Sequence, residues 1–277
     1  MKNLKFLLYP LSVLYSIYTS FRNLLFDLGL IDSIEYKIPT IGIGNLSTGG
    51  TGKSIIVDYL IERFKKNKKI TTLSRGYNRN TKGFVQASES SDAYEIGDEP
   101  FQFFSKHPEI NVVVCEDRRK GMNIILKNLS DTELCIWDDV FQHRFVKPGL
   151  MILSTTFQYP FYKDEILPMG NLRENKDSSK RADIIIVTKC PIDMQINDKE
   201  TIIKSLNPLA NQKVFFSTLT YKQKIKSDVD QINIDSLAES DFILVTGIAD
   251  SSYLVEFLKS KAFNFKHLKY SDHYNFN

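Results

Sequence analysis

The sequence is poor in the residues that staple a chain together. Its three cysteines, Cys115, Cys135 and Cys190, are odd in number, far apart and set in apolar runs. This excludes a disulfide framework and reads as packing residues in a reducing compartment. The four histidines keep no C-x-x-C or H-E-x-x-H company, so no zinc motif is present. Only 13 glycines and 9 prolines stand among 277 residues, without biased tracts or a fixed repeat, which excludes collagen, disordered and solenoid classes. Charge of one sign is scarce as well: 36 basic against 33 acidic residues leave +3, too little to require a nucleic-acid partner. The uncharged stretch at residues 6–21 has 16 positions, short of the roughly 20 needed to cross a bilayer. No small-x-small cleavage site follows it, which argues against a secretion signal.

What is present is a folded chain of one or two domains. Apolar segments at 40–44, 70–73, 111–115, 134–137, 150–153, 183–188, 214–217, 242–246 and 265–268 alternate with helical patterns at 53–66, 99–105, 118–128 and 251–260. That alternation predicts an α/β fold with a mostly parallel sheet and flanking helices. The polar stretch 220–235 reads as a connector. Three regions result: an N-terminal helix over 1–30, a core domain over 31–218, and a connector with a smaller C-terminal α/β domain over 219–277.

In the N-terminal region Ser12, Ser16, Thr19 or Ser20, Asn23 and Asp27 recur every three to four residues. They draw a polar stripe along an otherwise apolar helix whose start is delayed or kinked by Pro10. Such a helix suits a membrane interface, with Tyr9, Tyr15 and Tyr18 at headgroup depth and Lys2, Lys5 and Arg22 toward anionic lipid. A helix buried against the protein's own sheet has the same pattern. Between residues 61 and 82 lie eight basic residues and one acidic, which predicts a cationic surface region or a solvated helix end.

The strongest chemical signal is Ser47-Thr48-Gly49-Gly50-Thr51-Gly52-Lys53-Ser54, between an apolar strand and a helical pattern. Backbone N–H groups of Thr48, Gly49, Gly50, Thr51 and Gly52 would converge on phosphate oxygens at a helix N-terminus. Lys53 would reach the β and γ phosphates of ATP, and the Ser54 hydroxyl would ligate Mg²⁺. Ser47 takes the place of the first glycine of G-x-x-x-x-G-K-[ST]. Asp138 and Asp139, after the apolar run 134–137, are the expected metal-holding acids of such a site; an acidic turn is the plainer reading.

These segments occur in order with others: Gly44-Asn45-Leu46-Ser47-Thr48-Gly49-Gly50-Thr51-Gly52-Lys53, Ser74-Arg75-Gly76-Tyr77, Gly97-Asp98-Glu99-Pro100, Asp138-Asp139-Val140-Phe141-Gln142-His143, Leu172-Arg173-Glu174 and Asp272-His273. Together they resemble the tetraacyldisaccharide 4′-kinases, the lipid A 4′-kinases of Gram-negative bacteria. The resemblance implies a two-domain P-loop NTPase-like fold and transfer of the ATP γ-phosphate to the 4′-hydroxyl of an acylated glucosamine disaccharide 1-phosphate. It implies a peripheral enzyme at the cytoplasmic face of the inner membrane, docked by the N-terminal helix. It also implies that Asp98 acts with His273 on the acceptor hydroxyl. Ile55 and Val140 depart from the family pattern, which has Pro and Gly there. Family members continue beyond the histidine, so the C-terminal domain is expected to be incomplete.

Within that frame Lys53, Mg²⁺ and Arg173 would meet the phosphate charge, while Arg75, Tyr77 and Arg79 are candidates for the sugar or its 1-phosphate. From local sequence alone, Asp98 is a helix cap. A P-loop regulatory or assembly ATPase at the membrane surface is the competing function, and a degenerate P-loop membrane-binding module a third. No obligate protein partner is expected.

Overall fold

The computed structural model describes residues 7–227, 230–248, 250–272 and 274. The chain divides into two compact units, Met1–Thr218 and Leu219–Asn277.

The first unit runs α1 (Tyr9–Asp27), β1 (Thr40–Asn45), α2 (Lys53–Phe64), β2 (Ile70–Ser74), β3 (Val85–Gln86), α3 (Ala93–Ile96), α4 (Asp98–Lys106), β4 (Asn111–Val114), α5 (Arg118–Asn128), β5 (Leu134–Trp137), β6 (Leu150–Thr156), β7 (Ile184–Thr188), α6 (Ile196–Leu206) and β8 (Lys213–Phe216). Its eight strands form one sheet in the order β3-β4-β2-β5-β1-β6-β7-β8. All neighbours are parallel except the short β3, which pairs antiparallel with β4. Strands buried on both faces need apolar side chains on both, and β5 has them. Cys135 and Trp137 face a core with Met122 and Ile125 of α5 and Ile202 and Leu206 of α6, while Leu134 and Ile136 face Ile56, Val57 and Ile61 of α2 and Phe103 of α4. The three cysteines are free and buried, and burial pushes the Cys135 thiol up to about 12.

The second unit holds an antiparallel hairpin, β9 (Lys224–Lys226) with β10 (Gln231–Asn233), and a parallel pair, β11 (Phe242–Thr246) with β12 (Phe265–Lys269), joined through α7 (Ser252–Ser260). Ile234, Leu258 and Phe263 are its buried centre.

Each strand and helix expected after residue 30 forms, with ends within three residues, and the N-terminal helix expected over 1–30 runs Tyr9–Asp27 among the described residues. Five strands and helices were not expected. β3 and α3 are only 2 and 4 residues long, below what periodicity resolves. α6 buries just Ile202 and Leu206, a stripe too thin to stand out from its polar background. The 220–235 segment contains the β9–β10 hairpin, whose strands are 3 residues each and exposed throughout, too short for their single isoleucines to register as alternation. Part of the expected cationic region is paired with acids: Lys65 meets Glu62 and Glu109 at 3.1 and 2.8 Å, Lys68 meets Glu133 at 3.9 Å, and Arg79 meets Glu116 at 2.5 Å.

Pro10 sits in the first turn of α1, where its missing N–H is harmless. The orientation of α1 is inverted relative to an ordinary surface helix. Its polar stripe faces the protein: Ser12 donates to the Ile166 carbonyl, Ser16 to Asn175, and Asn23 to Glu174, while Arg144 donates to the Asn23 carbonyl and to Asp27. Leu14, Ile17, Tyr18 and Phe21 lie outward, each 60–64% exposed. Arg22, expected to face lipid, instead donates to the Gln142 carbonyl and lies over Phe26. Lys2 and Lys5 fall outside the described residues. No helix among the described residues is long and apolar enough to cross a membrane.

Candidate active site

β1 delivers the chain into the phosphate loop, and α2 leaves it. Gly52 caps α2 at φ 83°, a left-handed conformation that only glycine adopts without strain, and no side chain caps the helix. The first N–H groups of α2 therefore remain available to an anion. The loop is moored from both sides. The Thr51 and Ser154 hydroxyls share a hydrogen bond of 2.7 Å, Thr188 Oγ1 donates to the Thr51 carbonyl at 2.8 Å, and Thr48 N donates to the Asn171 carbonyl at 2.7 Å.

Asn45, fully buried at the end of β1, organises what lies above the loop. Its amide nitrogen donates to the Ser47 carbonyl at 2.7 Å, and its Oδ1 accepts from Lys53 Nζ at 3.2 Å and from Arg173. Arg173 closes a two-pronged pair on Asp139 at 3.1 and 3.0 Å, and Lys53 lies 3.6 Å from the same carboxylate. Two cations thus converge on one acid over a helix N-terminus. Burial alone would raise the Asp139 carboxyl, but the charges of Lys53 and Arg173 override it and hold the group well below the usual carboxylate range. Asp139 is itself left-handed at φ 46°, a backbone strain of the kind that gathers at functional sites.

Its neighbour Asp138 is in the opposite condition. It is 2% exposed, its Oδ1 has no hydrogen-bond partner, and burial, followed by the charges of Glu99 and Asp139, pushes its carboxyl up. Ser54 Oγ donates to Glu99. An orphaned buried carboxylate oxygen within the field of Glu99, which itself accepts from the Ser54 hydroxyl, offers oxygen donors only, and that chemistry fits Mg²⁺. The paired acids are therefore not equivalent: Asp139 is taken by Lys53 and Arg173, whereas Asp138 is grouped with Glu99.

Asp98 opens α4, and Gly97 is the cap, without a side-chain cap bond; the reading of Asp98 as the cap is corrected. Gly97 stands at φ 93°, and a Cβ there would come within 2.9 Å of the Tyr77 carbonyl, so the G-D-E-P turn and the loop after β2 touch at a point where no side chain fits. Of the three residues expected to meet the sugar, Arg75 and Tyr77 are exposed. Arg79 is placed differently: its side chain is 2% exposed and its guanidinium closes the 79–83 loop, donating to Glu116 and to the Gly83 carbonyl. His273 lies outside the described residues.

Three site residues escaped the sequence reading of roles. Asn45 and Glu99 stood inside motifs already quoted, where their neighbours drew the attention. Arg118, 2% exposed, donates to the carbonyls of Cys115 and Asp138 at 3.0 Å each and holds the turn that carries the acids. No local signal distinguishes it from any other helix-start arginine.

A family model described as tetraacyldisaccharide-1-P 4′-kinase matches residues 4–277. The chain is 42% identical to the tetraacyldisaccharide 4′-kinase of Flavobacterium psychrophilum over 271 residues, 97% of this chain and 78% of that protein. It is 40% identical to that of Bacteroides thetaiotaomicron over 280 residues, 97% and 74% of the two chains. A crystal structure of LpxK from Aquifex aeolicus in complex with ATP superposes with a TM-score of 0.83 at 33% identity, covering 98% of this chain and 83% of that one.

Proposed function

This chain belongs to the tetraacyldisaccharide-1-P 4′-kinase family, and we propose that it transfers the γ-phosphate of ATP to the 4′-hydroxyl of an acylated glucosamine disaccharide 1-phosphate. The observation that carries the reading is the convergence of Lys53 and Arg173 on one carboxylate over the uncapped start of α2. Such a site is built to take concentrated negative charge, and Asp139 with Asn45 stands where the triphosphate oxygens would compete for the same two cations.

In the reaction the acceptor oxygen attacks the γ-phosphorus, the bond to the ADP oxygen breaks, and the hydroxyl proton leaves to a base. Asp98 is the base proposed, acting with His273 as the resemblance implies. Lys53 and Arg173 hold the transferring group against the loop and offset the charge on its oxygens. Ser54, Asp138 and Glu99 would hold Mg²⁺, with Asp139 beside them once its cations turn to the nucleotide; the ion, when bound, supplies charge neutralisation at the β and γ phosphates. Arg75 and Tyr77 remain the candidates for the sugar side.

The lipid acceptor lives in a membrane, and the outward apolar face of α1 supports docking at a membrane surface, proposed to be the cytoplasmic face of the inner membrane. The test is incubation with γ-labelled ATP and tetraacyldisaccharide 1-phosphate in mixed micelles, followed by lipid separation. A labelled 4′-phosphorylated lipid is expected. Release of labelled inorganic phosphate with no labelled lipid would transfer the assignment to a membrane-surface ATPase.

A further inference from the structure

The buried stripe of α1 does more than hold a docking helix. Arg173 lies in a loop between β6 and β7, outside any helix or strand, yet both polar groups of its backbone are taken. Its N–H donates to the Leu46 carbonyl in the phosphate loop at 2.8 Å, and its carbonyl accepts from Tyr15 Oη of α1 at 3.1 Å. The next residue, Glu174, is 2% exposed and accepts from Asn23 of α1 at 2.7 Å and from Arg181 at 2.9 and 3.0 Å. Asn175 then exchanges hydrogen bonds with Ser16 at 3.1 Å and Ser20 at 2.6 Å. Three consecutive residues are thus tied to the helix, and the first carries the guanidinium that reaches Asp139 and Asn45.

We propose that α1 positions the phosphate-facing arginine: Tyr15 and Asn23 are positioning residues that hold the 173–175 peptide against the phosphate loop, so the element that docks on the membrane also sets the reach of Arg173. The argument rests on the reading of Arg173 as a triphosphate ligand. Its physical basis is that a loop backbone hydrogen-bonded on one side only can swing, whereas one bonded on both sides is preorganised. A long guanidinium side chain amplifies a small backbone swing at its tip. The second contact runs the same way, because Arg22 of α1 donates to the Gln142 carbonyl and Gln142 Nε2 donates to the Asn45 carbonyl at 2.9 Å.

The experiment uses the full chain and the micelle assay, with Tyr15→Phe and Asn23→Leu made in the wild type and in an Arg173→Lys background. Tyr15→Phe removes one hydroxyl from a contact that faces the protein, so vesicle binding and melting midpoint should hold. kcat should fall roughly three- to tenfold, the worth of one neutral hydrogen bond, with the KM of the lipid acceptor within about twofold. In the Arg173→Lys background the same substitution should lower kcat little further, because groups acting through one another are not additive. Equal losses in both backgrounds, an unchanged kcat, or a loss matched by a fall in melting midpoint would each overturn the proposal and leave the stripe a structural anchor. If the wild type labels no lipid, the kinase reading fails by itself. Positioning is then read from nucleotide affinity, where Tyr15→Phe and Arg173→Lys should each weaken ATP more than ADP; equal effects of Tyr15→Phe on the two nucleotides would overturn it.

Discussion

Lys53 is 14% exposed and 3.6 Å from Asp139, and its removal leaves Asp139 still paired with Arg173. The fold should therefore tolerate the loss, while the γ-phosphate should not. Lys53→Ala is expected to lower transfer by about 10² to 10³ or more, with a melting midpoint shifted by less than about 4 °C; near-normal turnover in the folded variant would remove the phosphate loop from the mechanism. A second residue reports on pH. His143 is one quarter exposed and accepts from Arg118 N at 3.4 Å, and burial followed by the charge of Arg118 brings its imidazole down to about 4. The folded protein thus keeps His143 neutral where the unfolded chain, with a pKa of about 6.5, takes up a proton. Its contribution is fully present above about pH 6.5 and is lost as the pH falls toward 4, at about 2 kcal/mol with solvent screening included. Urea titrations at pH 7.5 and 4.5 should show this difference shrink in His143→Gln, which keeps an acceptor but does not titrate.

Among the elements, α1 is the one whose sidedness decides its use. An apolar face left outward while the polar stripe makes the intramolecular contacts is what the proposed docking on a membrane surface requires. Replacing Leu14, Ile17 and Phe21 together by serine should reduce sedimentation with anionic vesicles at least tenfold, since each side chain contributes about 1–2 kcal/mol on burial in hydrocarbon. The KM for the lipid acceptor should rise more than that for ATP. Cleaner release by deleting residues 1–27 is not expected. That deletion also removes Asn23 from the buried Glu174 carboxylate and Phe26 from its edge contact with Phe145, so circular dichroism should show a less stable protein as well as a soluble fraction. Unaltered vesicle binding by the triple serine variant would contradict the interfacial role.

At the scale of the whole molecule, the site gathers at one edge of the sheet. The phosphate loop follows β1, the acids follow β5, the Arg75–Tyr77 turn follows β2, and the arginine loop runs between β6 and β7. In the order β2-β5-β1-β6 these are the carboxyl ends of adjacent parallel strands, where open α/β sheets bind ligands. The acid that opens α4 belongs to the first unit and the late histidine to the second, so their partnership is a question of function that kinetics can answer. Asp98→Asn should lower kcat by about 10² to 10⁴ while ATP still binds. The double variant with His273→Ala should be little worse than the poorer single variant if the two share one proton transfer. Losses that simply multiply would separate the two residues.

Strand, loop and helix around the phosphate site were legible because each depends on neighbours a few positions away. Apolar runs of four to six residues, a glycine at the end of a loop and a lysine beginning a helix carry their meaning locally, and so do the ordered motifs through Leu172-Arg173-Glu174. The polar stripe of α1 was legible by the same rule of spacing. Its direction was not, because a period of three to four residues states that one face differs from the other and says nothing of which face meets the protein. That was decided by Asn23 reaching Glu174 and Tyr15 reaching the Arg173 carbonyl, contacts that join residues 151 and 158 positions apart. The roles within the acid pair were decided in the same way. Asp138 and Asp139 are adjacent and chemically identical, yet one turn of left-handed backbone gives Asp139 to Lys53 and Arg173 and leaves Asp138 buried near Glu99. Arg79, a substrate candidate by its place after β2, braces its loop because Glu116 is brought beside it by the pairing of β2 with β4. Local chemistry specified which groups the site would contain; only the long-range packing of the sheet and α1 determined which charge each of them meets.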